Sequence, residues 1–297
     1  MAGSSPTSNS ILSAVDASNA PRQDITIGLI AGQGRLPLLT AQGIRAAGYR
    51  VACVGLAGQY DPALPDLCDE FDQAGIIRLG RWIKLLRKWD VNDAIMIGRV
   101  RKARMYEPMR LIKQLPDWRA ARLWYRVLRH DRRNAALLGA VAEELAGSGV
   151  NLMDSTQYIN EYMACEGVLT RTLPTADQEA DIEFGWPLVK QLAQADIGQS
   201  LAVMEREVVA VEAIEGTDAM IQRAGELCRV KGWTLLKTAA PEQDMRFDVP
   251  TVGMRTIENL KEAGGKCLVV EAGKVILADK PELLELADKY RIAIVGR

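Results

Sequence analysis

The sequence predicts a two-domain α/β protein whose first half is built on a parallel sheet. Three observations predict it. The chain has 297 residues, which suits two hydrophobic cores better than one. Its first half alternates short apolar runs with helical stretches, the rhythm of βαβ units. Its second half adds a hairpin pattern to the same alternation, which predicts a mixed α/β domain.

The elements follow in order. Residues 25–31 (ITIGLIA) form a nearly continuous apolar run, as expected of a strand buried on both faces. A glycine-rich turn and a helix over 37–47 follow, then the strand YRVACVGLA. Past Pro62 and Pro65 the chain predicts a short extended piece near 71–77, a helix over 80–89 and the strand DAIMIGRV. From Tyr106 to Leu145 the pattern is helical, interrupted at Pro108 and Pro116, and VNLMDS closes the first domain. Residues 1–24 read as a disordered tail, 25–154 as an N-terminal Rossmann-like domain, 155–176 as a linker and 177–297 as a C-terminal catalytic α/β domain. Within the last, the pattern predicts a helix over 177–194, a hairpin (LAVMER, EVVAVEAI) and a helix over 218–230. It continues with the strands WTLLKTA and RFDVP, a helix over 254–263, a second hairpin in CLVVEAGKVILA turning at Ala272–Gly273, and the strand IAIVG.

Composition excludes several classes. Five scattered cysteines without a CxxC argue against a zinc ribbon or a disulfide framework and predict a reducing, cytoplasmic setting. No apolar stretch approaches the roughly 20 residues that span a bilayer. His130 is the sole histidine, so a histidine-rich metal site is excluded, and no GxSxG elbow supports acyl transfer. The net charge of −1 is unevenly spread: residues 76–135 carry 17 of the 37 basic and 5 of the 38 acidic side chains. One face is expected to meet an anion.

Five segments could carry chemistry. Gly32-Gln33-Gly34-Arg35-Leu36-Pro37 follows a strand and opens a helix, the setting in which backbone N–H groups and the helix dipole hold phosphate. It lacks the third glycine of a dinucleotide fingerprint and the GK[ST] of a P-loop. Arg99 stands at the carboxyl end of DAIMIG, where parallel sheets collect ligands, and its planar fork suits phosphate. In Glu212-Ala213-Ile214-Glu215-Gly216-Thr217-Asp218, three carboxylates fall within seven residues at a strand–turn–helix junction. Asp218 and Glu215 are candidate Mg²⁺ ligands and Asp218 a water-positioning base, while Thr217 or Asp218 equally suits an N-cap. Lys237 lies on a strand, and alternation along QDMRFDVP (residues 243–250) would place Asp244, Arg246 and Asp248 on one strand face. Finally, RWIKLLRKW and DWRAARLWYRVLRH are basic amphipathic stretches whose aromatic stripes serve either a core or a lipid surface.

IAGQGRLP, IMIGRV, DIGQS, VEAIEGTDAMIQRAGEL, TLLKTAAPEQDMRFDVPTVG and CLVVEAG together resemble the LpxI-type UDP-2,3-diacylglucosamine pyrophosphatases over roughly residues 25–294. The resemblance implies two domains with the substrate between them. It also implies Mg²⁺-dependent hydrolysis of UDP-2,3-diacylglucosamine to UMP and 2,3-diacylglucosamine 1-phosphate. The family's essential aspartate falls on Asp218. With that chemistry, Gly32, Gln33, Gly34 and Arg99 are expected to hold phosphate oxygens, with Thr217 and Asp248 beside them. Lys237 and Arg246 are expected to stabilise the leaving phosphate. The implied partners are a UDP-linked diacylated glucosamine and the cytoplasmic face of the inner membrane, peripherally, with no nucleic acid and with a homo-oligomer left open. One departure stands out: relatives carry an acidic GDD-like segment where this chain has His130-Asp131-Arg132-Arg133-Asn134. The competing readings are a nucleotide or nucleic-acid binding module using residues 76–135 without hydrolysis and a nicotinamide oxidoreductase. The missing third glycine and the lack of an acidic ribose ligand after YRVACVGL count against the oxidoreductase.

Overall fold

The structure is a computed structural model that describes residues 24–100, 117–119, 122, 125, 134–241 and 243–297. The first domain holds β1 (Thr26–Ala31), β2 (Arg50–Leu56), β3 (Glu70–Ala74), β4 (Asp93–Ile97) and β5 (Asn151–Leu152) in the spatial order β3-β2-β1-β4-β5. Every pairing in this sheet is parallel. The central strands are buried on both faces, which is why ITIGLIA and RVACVGL read as unbroken apolar runs. Helices α1 (Leu36–Ala46), α2 (Leu79–Lys88) and α3 (Asn134–Ala146) complete the domain.

In α2 the spacing of Leu79, Trp82, Ile83, Leu85 and Leu86 turns one face inward, and Trp89 follows them into the core. Arg81, Lys84, Arg87 and Lys88 remain outside. Each large apolar side chain removed from water contributes about 1.5–3 kcal/mol. The aromatic stripe of RWIKLLRKW therefore serves the core and is not available to a membrane. Most of the second basic stretch, and the altered segment 130–134 apart from the backbone of Asn134, fall outside the described residues.

The second domain is a six-stranded mixed sheet in the order β6-β13-β11-β9-β7-β8. It comprises β6 (Gly167–Val168), β7 (Ser200–Met204), β8 (Glu207–Val211), β9 (Thr234–Lys237), β11 (Cys267–Val270) and β13 (Ala293–Gly296). β9, β11 and β13 run parallel at its centre, and the outer pairings β13–β6, β9–β7 and β7–β8 are antiparallel. Around it lie α4 (Ala176–Gln194), α5 (Thr217–Leu227), α6 (Met254–Ala263) and α7 (Lys280–Lys289). Thr175 and Gln178 close a reciprocal capping box at the start of α4.

Two sequence expectations fail here. CLVVEAGKVILA is not a hairpin. β11 has β9 on one edge and β13 on the other, so no edge is free for the returning chain. The chain instead leaves the sheet, and β12 (Ile276–Leu277) pairs in parallel with β10 (Thr251–Val252). RFDVP is not a strand either. Arg246 folds back onto Asp244 two residues earlier through side-chain and backbone hydrogen bonds, which makes a turn and removes the alternating face.

Between the sheets, Ser155 donates its N–H (2.9 Å) and its hydroxyl (2.8 Å) to the Met245 carbonyl. Met163 bridges to Ile276, and Ala164 N–H donates to the Val275 carbonyl. Ile276 completes a buried cluster with Ile27, Leu29 and Leu38, so one apolar core is shared by both domains.

Candidate active site between the domains

In the first sheet the chain runs outward from β1 through β2 to β3, then returns to place β4 on the other side of β1. The carboxyl ends of β1 and β4 thus flank the switch point at which α/β sheets bind ligands. Gln33 and Arg99 meet there and exchange both backbone hydrogen bonds at 2.8 Å, and Gly32 N–H donates to the Ile97 carbonyl at 2.9 Å. A Cβ on Gly32 would stand 2.8 Å from the Arg99 carbonyl oxygen. Gly32 is therefore required by the neighbouring backbone rather than by a ligand, and its N–H and that of Gln33 are already engaged by protein carbonyls. The anion-facing donors are left to Gly34, Arg35 and Leu36, at the N-terminus of α1 with Pro37 in its first turn.

A cleft of about 770 Å³ opens beyond this point, between the two domains. Gln33, Gly34, Arg35, Tyr60 and Arg99 line it from the first domain, and Asp218, Phe247, Asp248, Thr251 and Arg255 from the second. Sequence reasoning nominated Gln33, Gly34, Arg99, Asp218 and Asp248, and the fold brings these five to one cavity. It does not bring Gly32, Glu215, Thr217, Lys237 or Arg246 to the cleft wall.

Asp218 lies in the first turn of α5, behind Gly216, whose φ of +83° is open to glycine without strain. Asn259 donates to Asp218 Oδ1 at 3.0 Å, and Arg255 Nε is 3.5 Å from Oδ2. Both partners belong to α6 and are four residues apart, hence on one helix face. The Asp218 side chain keeps 47% of its surface exposed, so the carboxylate is held from behind and open in front. Asp248 shares the cavity; partial loss of hydration there raises its pKa, against the effect of a Gln243 hydrogen bond. Arg35 reaches across the domain boundary to Asp279 at 2.9 Å.

The remaining nominees have other positions. Glu215 is ion-paired with Arg223 at 2.6 Å, accepts from Ala213 N–H and does not line the cleft. Its own loop backbone and Arg223 hold its pKa down. Arg246 is clamped by Asp244, and its guanidinium lies over Phe247, 5.5 Å from the ring centre. Its contribution is to set Phe247, which does line the cavity. Lys237 is buried, and its ammonium donates to Thr217 Oγ1 at 2.9 Å and to Ser200 Oγ at 3.4 Å. Burial lowers its pKa against the opposing charges of Glu212 and Asp218. Arg255 and Asn259 carry no local sequence signature. The signal that would have found them is their i,i+4 spacing on the helix after the predicted strand, which carries meaning only once α6 is known to pack on α5.

Among the described residues no three His, Cys, Asp or Glu side chains converge as a ready cation site. The carboxylate side chains that line the cleft, Asp61, Asp218 and Asp248, offer hard oxygen donors. That set fits Mg²⁺, which takes one or two carboxylates and fills its octahedron with water and substrate phosphate.

Two sequence profiles match the chain almost end to end: the LpxI N-terminal domain over residues 26–162 and the LpxI C-terminal domain over residues 165–295. The UDP-2,3-diacylglucosamine pyrophosphatase LpxI of Caulobacter vibrioides is 31% identical over 280 residues, covering 91% of this chain and 96% of that protein.

Proposed function

This chain belongs to the LpxI family, and on that premise we propose that it hydrolyses the diphosphate of UDP-2,3-diacylglucosamine to UMP and 2,3-diacylglucosamine 1-phosphate, in lipid A synthesis. The observation that carries the reading is the cleft itself. Three guanidinium groups, Arg35 and Arg99 from one domain and Arg255 from the other, line the same cavity as Asp218.

A diphosphate ester needs charge neutralisation and alignment more than covalent help. Arg35, Arg99 and the N–H groups opening α1 bind the phosphate oxygens. Asp218 orients the attacking water and takes its proton as the new P–O bond forms and the bridging P–O bond breaks. Arg255, beside Asp218, meets the charge that gathers on the reacting phosphoryl oxygens. Asp218 and Asp248 are the side chains that would hold Mg²⁺, which when bound supplies further neutralisation of those oxygens. The acyl chains would be drawn from a membrane surface with the protein peripheral to it; among the described residues no helix is long and apolar enough to cross one.

The test is release of UMP from UDP-2,3-diacylglucosamine in Mg²⁺, with and without chelator, beside Asp218→Ala. Chelator-sensitive release that vanishes in the variant is expected. Equal absence of release from wild type and variant would overturn the reading.

A further inference from the structure

Behind Asp218 lies a directional hydrogen-bond relay none of whose residues lines the cleft. Lys237 Nζ donates to Thr217 Oγ1 at 2.9 Å, and Thr217 Oγ1 donates onward to Glu212 Oε1 at 2.8 Å. Because the threonine hydroxyl has one proton and gives it to Glu212, it faces Lys237 as an acceptor. The three residues come from three elements: Lys237 ends β9, Thr217 opens α5, and Glu212 directly follows β8. Ser200, the first residue of β7, ties in the fourth by accepting from Lys237 and by its carbonyl, which receives Glu212 N–H at 2.9 Å. The second Glu212 oxygen is sealed from solvent with no hydrogen-bond donor among the described residues. A half-satisfied carboxylate of this kind is costly, and the charge of Lys237 offsets that cost.

The geometry has no obvious purpose as a helix cap. Gly216 is the N-cap of α5 and brings no side chain to it, and the Thr217 hydroxyl turns away to Lys237 and Glu212. Thr217 is, however, the covalent neighbour of Asp218. With its side chain anchored below, the first turn of α5 has one rotation about its axis, and that rotation aims Asp218 at the cleft and at Asn259.

We propose that Lys237, Thr217 and Glu212 form a positioning relay that fixes the orientation of the Asp218 carboxylate, and that none of the three touches substrate. The inference rests on the reading of Asp218 as the reactive carboxylate, and it replaces the expectation that Lys237 and Thr217 bind phosphate directly. A group that acts only by aiming another changes turnover and leaves substrate affinity alone.

Thr217→Val tests it, since valine keeps the volume and removes both hydrogen bonds. A misaimed catalytic group is expected to lower kcat about tenfold to hundredfold, with KM changed by less than about threefold. Thr217→Ser should recover most of the lost turnover. Lys237→Met should repeat the kcat signature, and it decides the matter if Thr217→Val fails to fold. In a crystal structure of the valine variant, Asp218 should no longer lie within hydrogen-bonding distance of Asn259. A rise in KM at constant kcat would place Thr217 against substrate and overturn the proposal. An unmoved Asp218 would overturn it as well, whatever the kinetics. If the wild type releases no UMP, the assigned reaction fails, and the crystal structure alone then decides the relay.

Discussion

The two walls of the cleft are built differently. The first-domain wall is mostly backbone: two glycine turns pressed together at the ends of β1 and β4, with Arg35 and Arg99 projecting from them. The second-domain wall is mostly side chain: Asp218 braced by Asn259 and Arg255 from a neighbouring helix and footed on a buried polar relay. The first arrangement suits binding, since backbone donors and exposed guanidinium groups recognise phosphate without fine aim. The second suits chemistry, since each contact removes a degree of freedom from one carboxylate. Under the proposed function, recognition and reaction would be divided between the domains and meet at the diphosphate.

The strongest way to break this division is Asp218→Ala. Loss of the base is expected to lower kcat by about 10³-fold in a UMP-release assay, and a variant that kept a tenth of wild-type turnover would move the chemistry elsewhere. Next in size is a stability effect confined to the second domain. Glu271 accepts from Lys190, Thr238 and Ala239 N–H at the carboxyl ends of β9 and β11. Burial alone would raise its pKa, but these donors outweigh it and bring the group from 4.5 to about 2. Because the folded pKa is the lower one, the stabilisation is complete above about 4.5 and is lost as pH falls toward 2. Its size is on the order of 3 kcal/mol, and acid unfolding of Glu271→Gln should show that pH dependence removed.

Arg99→Ala and Arg255→Ala sharpen the comparison. Losing one charged hydrogen bond to phosphate should lower kcat/KM about tenfold to hundredfold. For Arg99 the loss is expected in KM and for Arg255 largely in kcat; matching profiles would erase the division of labour. The smallest effect is expected from Asp279→Asn. The Arg35–Asp279 pair joins the walls, but the Arg35 side chain is 54% exposed. Such a pair contributes less than about 1 kcal/mol, and a thermal melt should move correspondingly little.

How much could be read beforehand differs between the walls in the same sense. The glycine turn, the strand end at Arg99 and the GTD junction are local patterns, and all three arrived at one cavity. Arg255 and Asn259 could not be read because their meaning depends on α6 packing beside α5. From sequence Lys237 is a lysine on a strand, and its partners at Ser200, Glu212 and Thr217 are 37, 25 and 20 residues away, so no local pattern joins them.

By itself the sequence determined the α/β class, the parallel first sheet, the family and the aspartate at the helix start. Each rests on periodicity, glycine and proline placement or a contiguous motif, which are short-range properties of the chain. Tertiary structure decided which candidates line the cleft and which lie behind it. It also decided that β12 leaves the main sheet and that Asp244 and Asp248 share no strand face. The physical reason is that strand pairing and side-chain direction depend on which edges and faces are already occupied, and occupancy exists only once distant segments have met.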